Sequence, residues 1–351
     1  MTEVMKEALF YRKLDNNRVR CELCPWMCTL SDGQVGVCGV RKNRDGKLYS
    51  LNYGLLTATA IDPIEKKPLY HFYPQAPIFS ISTVGCNFRC PWCQNWEISQ
   101  SKVDELKEEE YTPPERIINI MERYNTPFLA FTYNEPLIWY EYVLDTAKLA
   151  RSKGYKNVLV TNGHISLDPL DNLLPYLDAA NVDIKAFNRD TYLKIIGGRL
   201  EAVLESTLEM KRKGIHVETT YLVIPGVNDS YEEFKKMVKW HLDNLGPETP
   251  LHISRFFPMY KYHDKEPTPI GLLTSFWKIA KEEGILYVYV GNVPGHEGEN
   301  TYCPGCNKLV IRRGGFSIIE WNLDENNRCK FCGTKIHIVG ERWKHLANYI
   351  F

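Results

Sequence analysis

The stretch PIFSISTVGCNFRCPWCQNW, residues 77–96, decides the reading of this chain. Its first eight residues are apolar and rich in β-formers, so they read as a buried strand. The strand breaks at Gly85 into a loop carrying Cys86, Cys90 and Cys93 in C-x3-C-x2-C spacing. Steps this short fit a loop wrapped round one compact metal group. Three thiolates are one too few for structural zinc, which takes four protein ligands. They are also one too few for an iron–sulfur cluster held wholly by cysteine. Either a small molecule takes the open position, or a remote residue completes a zinc site or a redox cluster.

Working outward, further β-rich runs follow at FLAFTY (128–133), NVLVTN (157–162), NVDIKAF (181–187), VETTYLVI (217–224), LHISRFF (251–257) and LYVYVGN (286–292). Helical patterns lie between them: TPPERIINIMERY with Thr112 as its expected N-cap, LIWYEYVLDTAKLARSKG, VLESTLEMKRKG, SYEEFKKMVKWHLDNLG from Ser230, and PIGLLTSFWKIAKEEG. The last four close at glycine, a common helix stop. Strand–helix alternation implies an α/β protein with a parallel sheet, either open and doubly wound or a barrel. Polar and glycine motifs follow the strands, and a barrel carries its site on that face.

The chain has 351 residues, 44% hydrophobic and 25% charged, within the range of a globular protein. Lys plus Arg and Asp plus Glu are 43 each. The balance gives no broad electrostatic footprint for nucleic acid, which is disfavoured as a partner, or for anionic lipid. No apolar run approaches the ~18 residues of a membrane helix, so no membrane role is expected. The first residues, MTEVMKEALFYRK, include acidic groups and no apolar segment. They do not read as a signal peptide, and a cytoplasmic location is expected. Eleven cysteines in that compartment are metal ligands before they are disulfides.

They fall into three groups. Cys303, Cys306, Cys329 and Cys332 form two C-x2-C pairs beside the short runs LVIRR and FSIIEW, the spacing of a zinc ribbon. Cys21, Cys24, Cys28 and Cys38 are four thiolates at irregular spacing, which fit zinc or a second iron–sulfur cluster. The runs VGVCGV and KLYSLNYG near them read as short strands. DPIEKKPLYHFYP (62–74) carries Asp62, Glu65, Lys66, Lys67 and His71, read first as exposed charge and second as a bridge to the site. Three lobes are expected: 1–68 cysteine-rich, 69–297 catalytic, and 298–351 ribbon-like.

C-x3-C-x-aromatic-C after the first strand of a βα series resembles the signature of the radical S-adenosylmethionine (SAM) superfamily. The resemblance spans about residues 69–292. It implies a partial (β/α)6 TIM-like barrel, a [4Fe–4S] cluster on Cys86, Cys90 and Cys93, and SAM chelating the fourth iron. Reductive cleavage to methionine and a 5′-deoxyadenosyl radical would follow, with hydrogen abstraction from a substrate. Trp92 and Asn95 would flank the cluster. Asn134 and Glu135 of FTYNEP stand where the superfamily places a Gly-Gly-Glu-like motif for the SAM amine, here without the glycines. Asp183 and Lys185 resemble the Asp-x-Lys SAM contacts of pyruvate formate-lyase activating enzymes, with a buried structural ion pair as the plainer reading. Thr161-Asn162-Gly163 resembles a further motif of that family, with Val160 in place of its acid, and Asn162 is a cofactor candidate. Ile224-Pro225-Gly226 resembles its fifth-strand ending or is a plain turn. Arg255, Tyr260, His263, His296 and Glu297 are candidates for a substrate mouth.

In one order, CELCPWMCTLSDGQVGVCGVR, DPIEKKPLYHFYP, GCNFRCPWCQNWEIS, SRFFPMY and GNVPGHEGENTYCPGC resemble the AmmeMemoRadiSam system radical SAM enzymes. Partners implied are SAM, an external electron donor, and a protein substrate, with Memo-type and Ammecr-type proteins as candidates. Activation of a protein glycine, radical modification of RNA or a small molecule, and a non-catalytic electron carrier or scaffold are the three functional readings.

Overall fold

The computed structural model describes residues 5–103 and 111–343. The first four residues of the signal-peptide reading and the last eight of the ribbon lobe lie outside them.

The apolar runs form an eight-stranded sheet whose strands follow one another in chain order. They are β1 (Ala58–Pro63), β2 (Pro77–Ser82), β3 (Phe128–Phe131), β4 (Lys156–Thr161), β5 (Ala179–Asp183), β6 (His216–Val223), β7 (Leu251–Arg255) and β8 (Val288–Gly291). β2 to β8 are parallel, and β1 is an antiparallel edge on β2. The parallel strands are buried on both faces, which explains their continuous apolar character. Six helices make the crossovers: α1 (Pro114–Arg123), α2 (Tyr140–Ser152), α3 (Leu167–Leu173), α4 (Leu200–Arg212), α5 (Tyr231–Leu245) and α6 (Ile270–Glu283). Every parallel step is therefore strand–helix–strand, and the sheet order runs open from β1 to β8, a partial barrel.

Local signals act where expected at α5, and two expectations are corrected. Ser230 accepts from the Glu233 amide at 3.4 Å and caps α5, which stops at Gly246. α1 starts one residue later than its sequence suggests. Pro113 holds the extended cap position and Pro114 opens the helix, while the Thr112 carbonyl accepts from the Tyr142 hydroxyl at 2.9 Å. VGVCGV is not a strand. Gly39 has a positive φ, Cys38 sits in a turn, and the strand comes next, at Arg41–Arg44, paired with Lys47–Ser50.

The segment between β1 and β2 packs against residues of β5, β6, β7 and β8. Glu218 on β6, fully buried, accepts from the Tyr70 and His71 amides at 3.0 and 2.7 Å and pairs with His216 and His252 at 3.0 and 2.6 Å. Burial would raise its pKa, but the two histidine hydrogen bonds hold it below the ordinary carboxylate range. His71 in turn meets the Tyr289 hydroxyl at 2.5 Å and the His337 carbonyl at 2.8 Å, tying sheet, linker and C-terminal lobe together. That lobe is a three-stranded antiparallel sheet of Thr301–Tyr302, Leu309–Gly314 and Ser317–Trp321.

Burial lowers the pKa of His71 to about 3 and of His241, on α5, to about 4, from 6.5. Both are held neutral, so the unfolded chain binds more protons below pH 6.5. Stability should be intact above that value and fall below it. At pH 5.5 each histidine should cost roughly 1.4 kcal/mol. Urea unfolding of wild type and His241→Gln at pH 7.5 and 5.5 checks this. The variant should lose less on acidification, and an identical loss in both proteins would refute the assignment.

Candidate functional site

All eight strands contribute residues at or near their ends to one cavity of ≈ 660 Å³. That volume is in the range of sites that enclose a cofactor-sized ligand. Cys86, Cys90 and Cys93 lie on its wall, on the loop after β2. Gly85 makes the break that turns β2 into this loop. Its φ is +95°, and a Cβ there would stand 2.6 Å from Val40 Cγ1 and 2.8 Å from the Cys38 carbonyl oxygen. Only glycine allows so close an approach of the N-terminal lobe.

The loop is fixed by hydrogen bonds to its neighbours. The Phe88 amide donates to Cys86 Sγ at 3.3 Å, and Asn162 Nδ2 approaches the same sulfur at 3.7 Å. Asn87 receives a hydrogen bond from Asn162 at 2.9 Å and gives one to the His164 carbonyl at 2.8 Å. Cys93 Sγ is 3.2 Å from the Ser99 hydroxyl. Three thiols on an open cavity wall, steadied by N–H donors, fit a four-iron cluster with one position left for a small molecule.

The polar residues singled out in the sequence divide between wall and framework. Trp92, Asn95, Glu135, Asn162, Asp183 and Lys185 line the cavity. Asn134 does not. It is buried, and its amide donates to the Gly85 carbonyl at 3.0 Å, bracing the cysteine loop from behind. Glu135 is almost fully occupied. One oxygen accepts from the Leu137 amide at 3.0 Å and the Thr161 hydroxyl at 2.7 Å, and the other from the Asn162 amide at 2.7 Å. A carboxylate has about four acceptor sites, which leaves one toward the cavity. Burial pushes its pKa up to about 7 despite these bonds. Asp183 ends β5 and Lys185 follows it, paired at 3.0 Å and both on the cavity wall. Burial alone would lower the Lys185 pKa, but Asp183 raises it, and the group stays cationic beside Cys90.

The DPIEKKPLYHFYP run is not exposed charge. Asp62, Glu65, Lys67 and His71 are buried, and Glu65, Lys66 and Lys67 line the cavity. Lys67 reaches Asp62 at 2.6 Å, and the Tyr133 hydroxyl donates to the same carboxylate at 2.6 Å. Glu65 keeps one buried oxygen without a protein partner, and burial raises its pKa to about 7. Arg255, Tyr260, His263, His296 and Glu297 do not line the cavity, and neither does Ile224-Pro225-Gly226, whose turn Asn228 holds through the Ile224 amide at 2.6 Å. Their place is taken by His252 and Ser254 of β7, Asn292 and Glu299 after β8, and Phe316. Glu218 and His252 had a signal in the sequence, as ionisable residues inside apolar strands. Phe316 had none, because only the fold brings the ribbon hairpin over the cavity.

The C-terminal cysteines form a different centre. All four sulfurs lie within 4.8 Å of one another, with Cys303–Cys332 at 3.5 Å and Cys306–Cys329 at 3.7 Å. A tetrahedral zinc with ~2.3 Å bonds sets its sulfurs about 3.8 Å apart, so a zinc-ribbon-like lobe fits. Among the described residues no helix is long and apolar enough to cross a membrane.

A parallel α/β sheet with three thiols on a cavity at the carboxyl ends of its strands is an arrangement that suits a metal cluster with an open position. Comparison with known proteins specifies it. The family model of the radical SAM superfamily matches residues 80–240. The uncharacterized protein MJ0808 of Methanocaldococcus jannaschii is 50% identical over 336 residues, 95% of this chain and all of that one. The pyruvate formate-lyase 1-activating enzyme of Escherichia coli K12 is 25% identical over 169 residues, 45% of this chain and 66% of its own length. A radical SAM methyltransferase structure from Sphaerobacter thermophilus aligns over 68% of this chain and 71% of that one, with a TM-score of 0.49 and 16% identity. Residues 80–240, just under half of the chain, are thus similar to the radical SAM superfamily, and the chain has that α/β fold. Its similarity to the glycyl-radical activating enzymes is distant.

Proposed function

We propose that the chain reductively cleaves SAM and uses the product radical to take a hydrogen atom from a protein glycine. The observation that carries the reading is the set of three thiols on the wall of the ≈ 660 Å³ cavity, with Asp183, Lys185 and Glu135 on the same wall. A [4Fe–4S] cluster at this site would supply the one-electron reduction, drawn from an external donor, that splits the C5′–S bond of SAM into methionine and a 5′-deoxyadenosyl radical. Cys86, Cys90 and Cys93 would hold that cluster. Glu135 keeps a carboxylate acceptor for the methionyl ammonium, and Asp183 and Lys185 give the charged end of SAM an anion and a cation. Asn162 and Asn95 position the loop and the ligand. Trp92, buried on the cavity wall, would shield the site from water. Hydrogen transfer then yields 5′-deoxyadenosine and a substrate radical.

The glycine reading rests on the activating-enzyme relatives, whose names assign them protein substrates. The resemblance to AmmeMemoRadiSam enzymes makes Memo-type and Ammecr-type proteins the first substrates to try. The test is anaerobic incubation of iron-loaded protein with SAM and dithionite. Methionine and 5′-deoxyadenosine are expected in equal amounts. Cluster-loaded protein that binds SAM and yields neither, with or without those candidate proteins, counts against the reading.

A further inference from the structure

The N-terminal cysteines are arranged unlike the C-terminal ones. Cys21, Cys24, Cys28 and Cys38 come from the strand Val19–Cys21, the turn after it and the turn before Arg41. All four line one small cavity, whose other walls are mainly apolar: Leu23, Trp26, Met27, Val37 and Ile138. No three of these sulfurs come within 4.8 Å of one another, whereas the four of the ribbon do. The cavity also has room for about one water-sized sphere. Such a sphere sits about 3 Å or more from every sulfur, beyond the ~2.3 Å of a Zn–S bond. A single ion would leave no such room. A four-iron cube holds one thiolate at each iron corner and sets the sulfurs farther apart. The buried Arg41 completes the wall, with its Nε unpartnered.

We propose that Cys21, Cys24, Cys28 and Cys38 hold a second four-iron cluster, in a separate pocket packed directly against the Cys86–Cys93 loop. Three contacts join the two. The Cys38 carbonyl lies against Gly85, Trp26 Nε1 donates to the Asn87 carbonyl at 2.9 Å, and Arg89 donates to the carbonyls of both Val37 and Cys86. Two clusters on segments in direct contact suit one-electron exchange between them. The N-terminal one, reduced by an external low-potential donor, is reoxidised as its neighbour is reduced, and no bond or proton moves. The assignment is independent of SAM cleavage, because its test reads metal.

The experiment uses the full chain, purified anaerobically after expression with iron and zinc supplied. In Cys86→Ala/Cys90→Ala/Cys93→Ala about four iron, four sulfide and one zinc should remain per chain, with a reduced-cluster EPR signal after dithionite. Loss of all iron with zinc rising to about two would show an N-terminal zinc site and overturn the proposal. So would loss of all iron with zinc unchanged. If the triple variant does not fold, the wild type decides. About eight iron, halved in Cys24→Ser/Cys28→Ser with zinc unchanged, supports the second cluster, and about four in the wild type refutes it.

Discussion

Cys90→Ala is expected to bring 5′-deoxyadenosine formation down to the level of protein-free controls. Cys90 is buried on the cavity wall, next to Lys185 and Cys93. On the proposed function, removing its thiol leaves two protein ligands for a cluster that needs three, and the other described thiols lie at other sites. The ribbon cysteines are gathered round their own centre, and the N-terminal four line their own cavity. The fold should survive, because the change deletes a single sulfur atom, at a cost of roughly 1 kcal/mol. The comparison is product formation set beside the thermal midpoint of the same preparation. A folded variant with no product meets the expectation. A variant that still forms 5′-deoxyadenosine would mean that cleavage does not depend on this thiol set. A wild type equally silent would return the chain to the reading of a non-catalytic metal protein.

The cysteine loop on the cavity wall was legible because its pattern is local. A strand, a glycine break and three cysteines within 20 residues specify a loop at the carboxyl end of a strand. The strand runs were also readable, since parallel strands are apolar throughout. β1 was missed. Its sequence, ATAIDP, ends in proline and has few large apolar residues, and it becomes a strand only by pairing with β2. The charged run after it was misjudged for the same reason. Asp62 and Lys67 look like surface residues until the fold gives each the other as partner at 2.6 Å. Asn134 shows the limit within a motif. Sequence places it beside Glu135, but the turn sends its amide to the Gly85 carbonyl, so adjacent residues serve wall and framework separately. Positions that depend on lobe packing, such as Phe316 over the cavity, have no sequence signal at all.

Arg41→Met should cost roughly 3–5 kcal/mol, the range for stranding one partner of a buried ion pair. Arg41 and Glu141 are 1% and 2% exposed, and one guanidinium nitrogen meets both carboxylate oxygens at 3.0 Å. The other donates to the Leu9 carbonyl at 2.6 Å, while the Leu9 amide donates to Glu141 at 2.8 Å. The pair thus fastens the N-terminal lobe to the first turn of α2. Without the guanidinium, Glu141 is a buried carboxylate with one amide donor left, so the cost comes mostly from the stranded charge. Arg41→Met/Glu141→Leu removes both charges and should recover a large part of the loss, although the Leu9 groups then lack partners. Urea unfolding of the two variants separates these cases. A double variant no more stable than Arg41→Met would place the cost in lost packing instead. The effect should also reach the site. Cys38 leans on Gly85, one residue before Cys86, so a loosened lobe no longer braces the cysteine loop. Arg41→Met protein that remains folded should therefore lose iron faster than wild type to a chelator, and the double variant should fall between them.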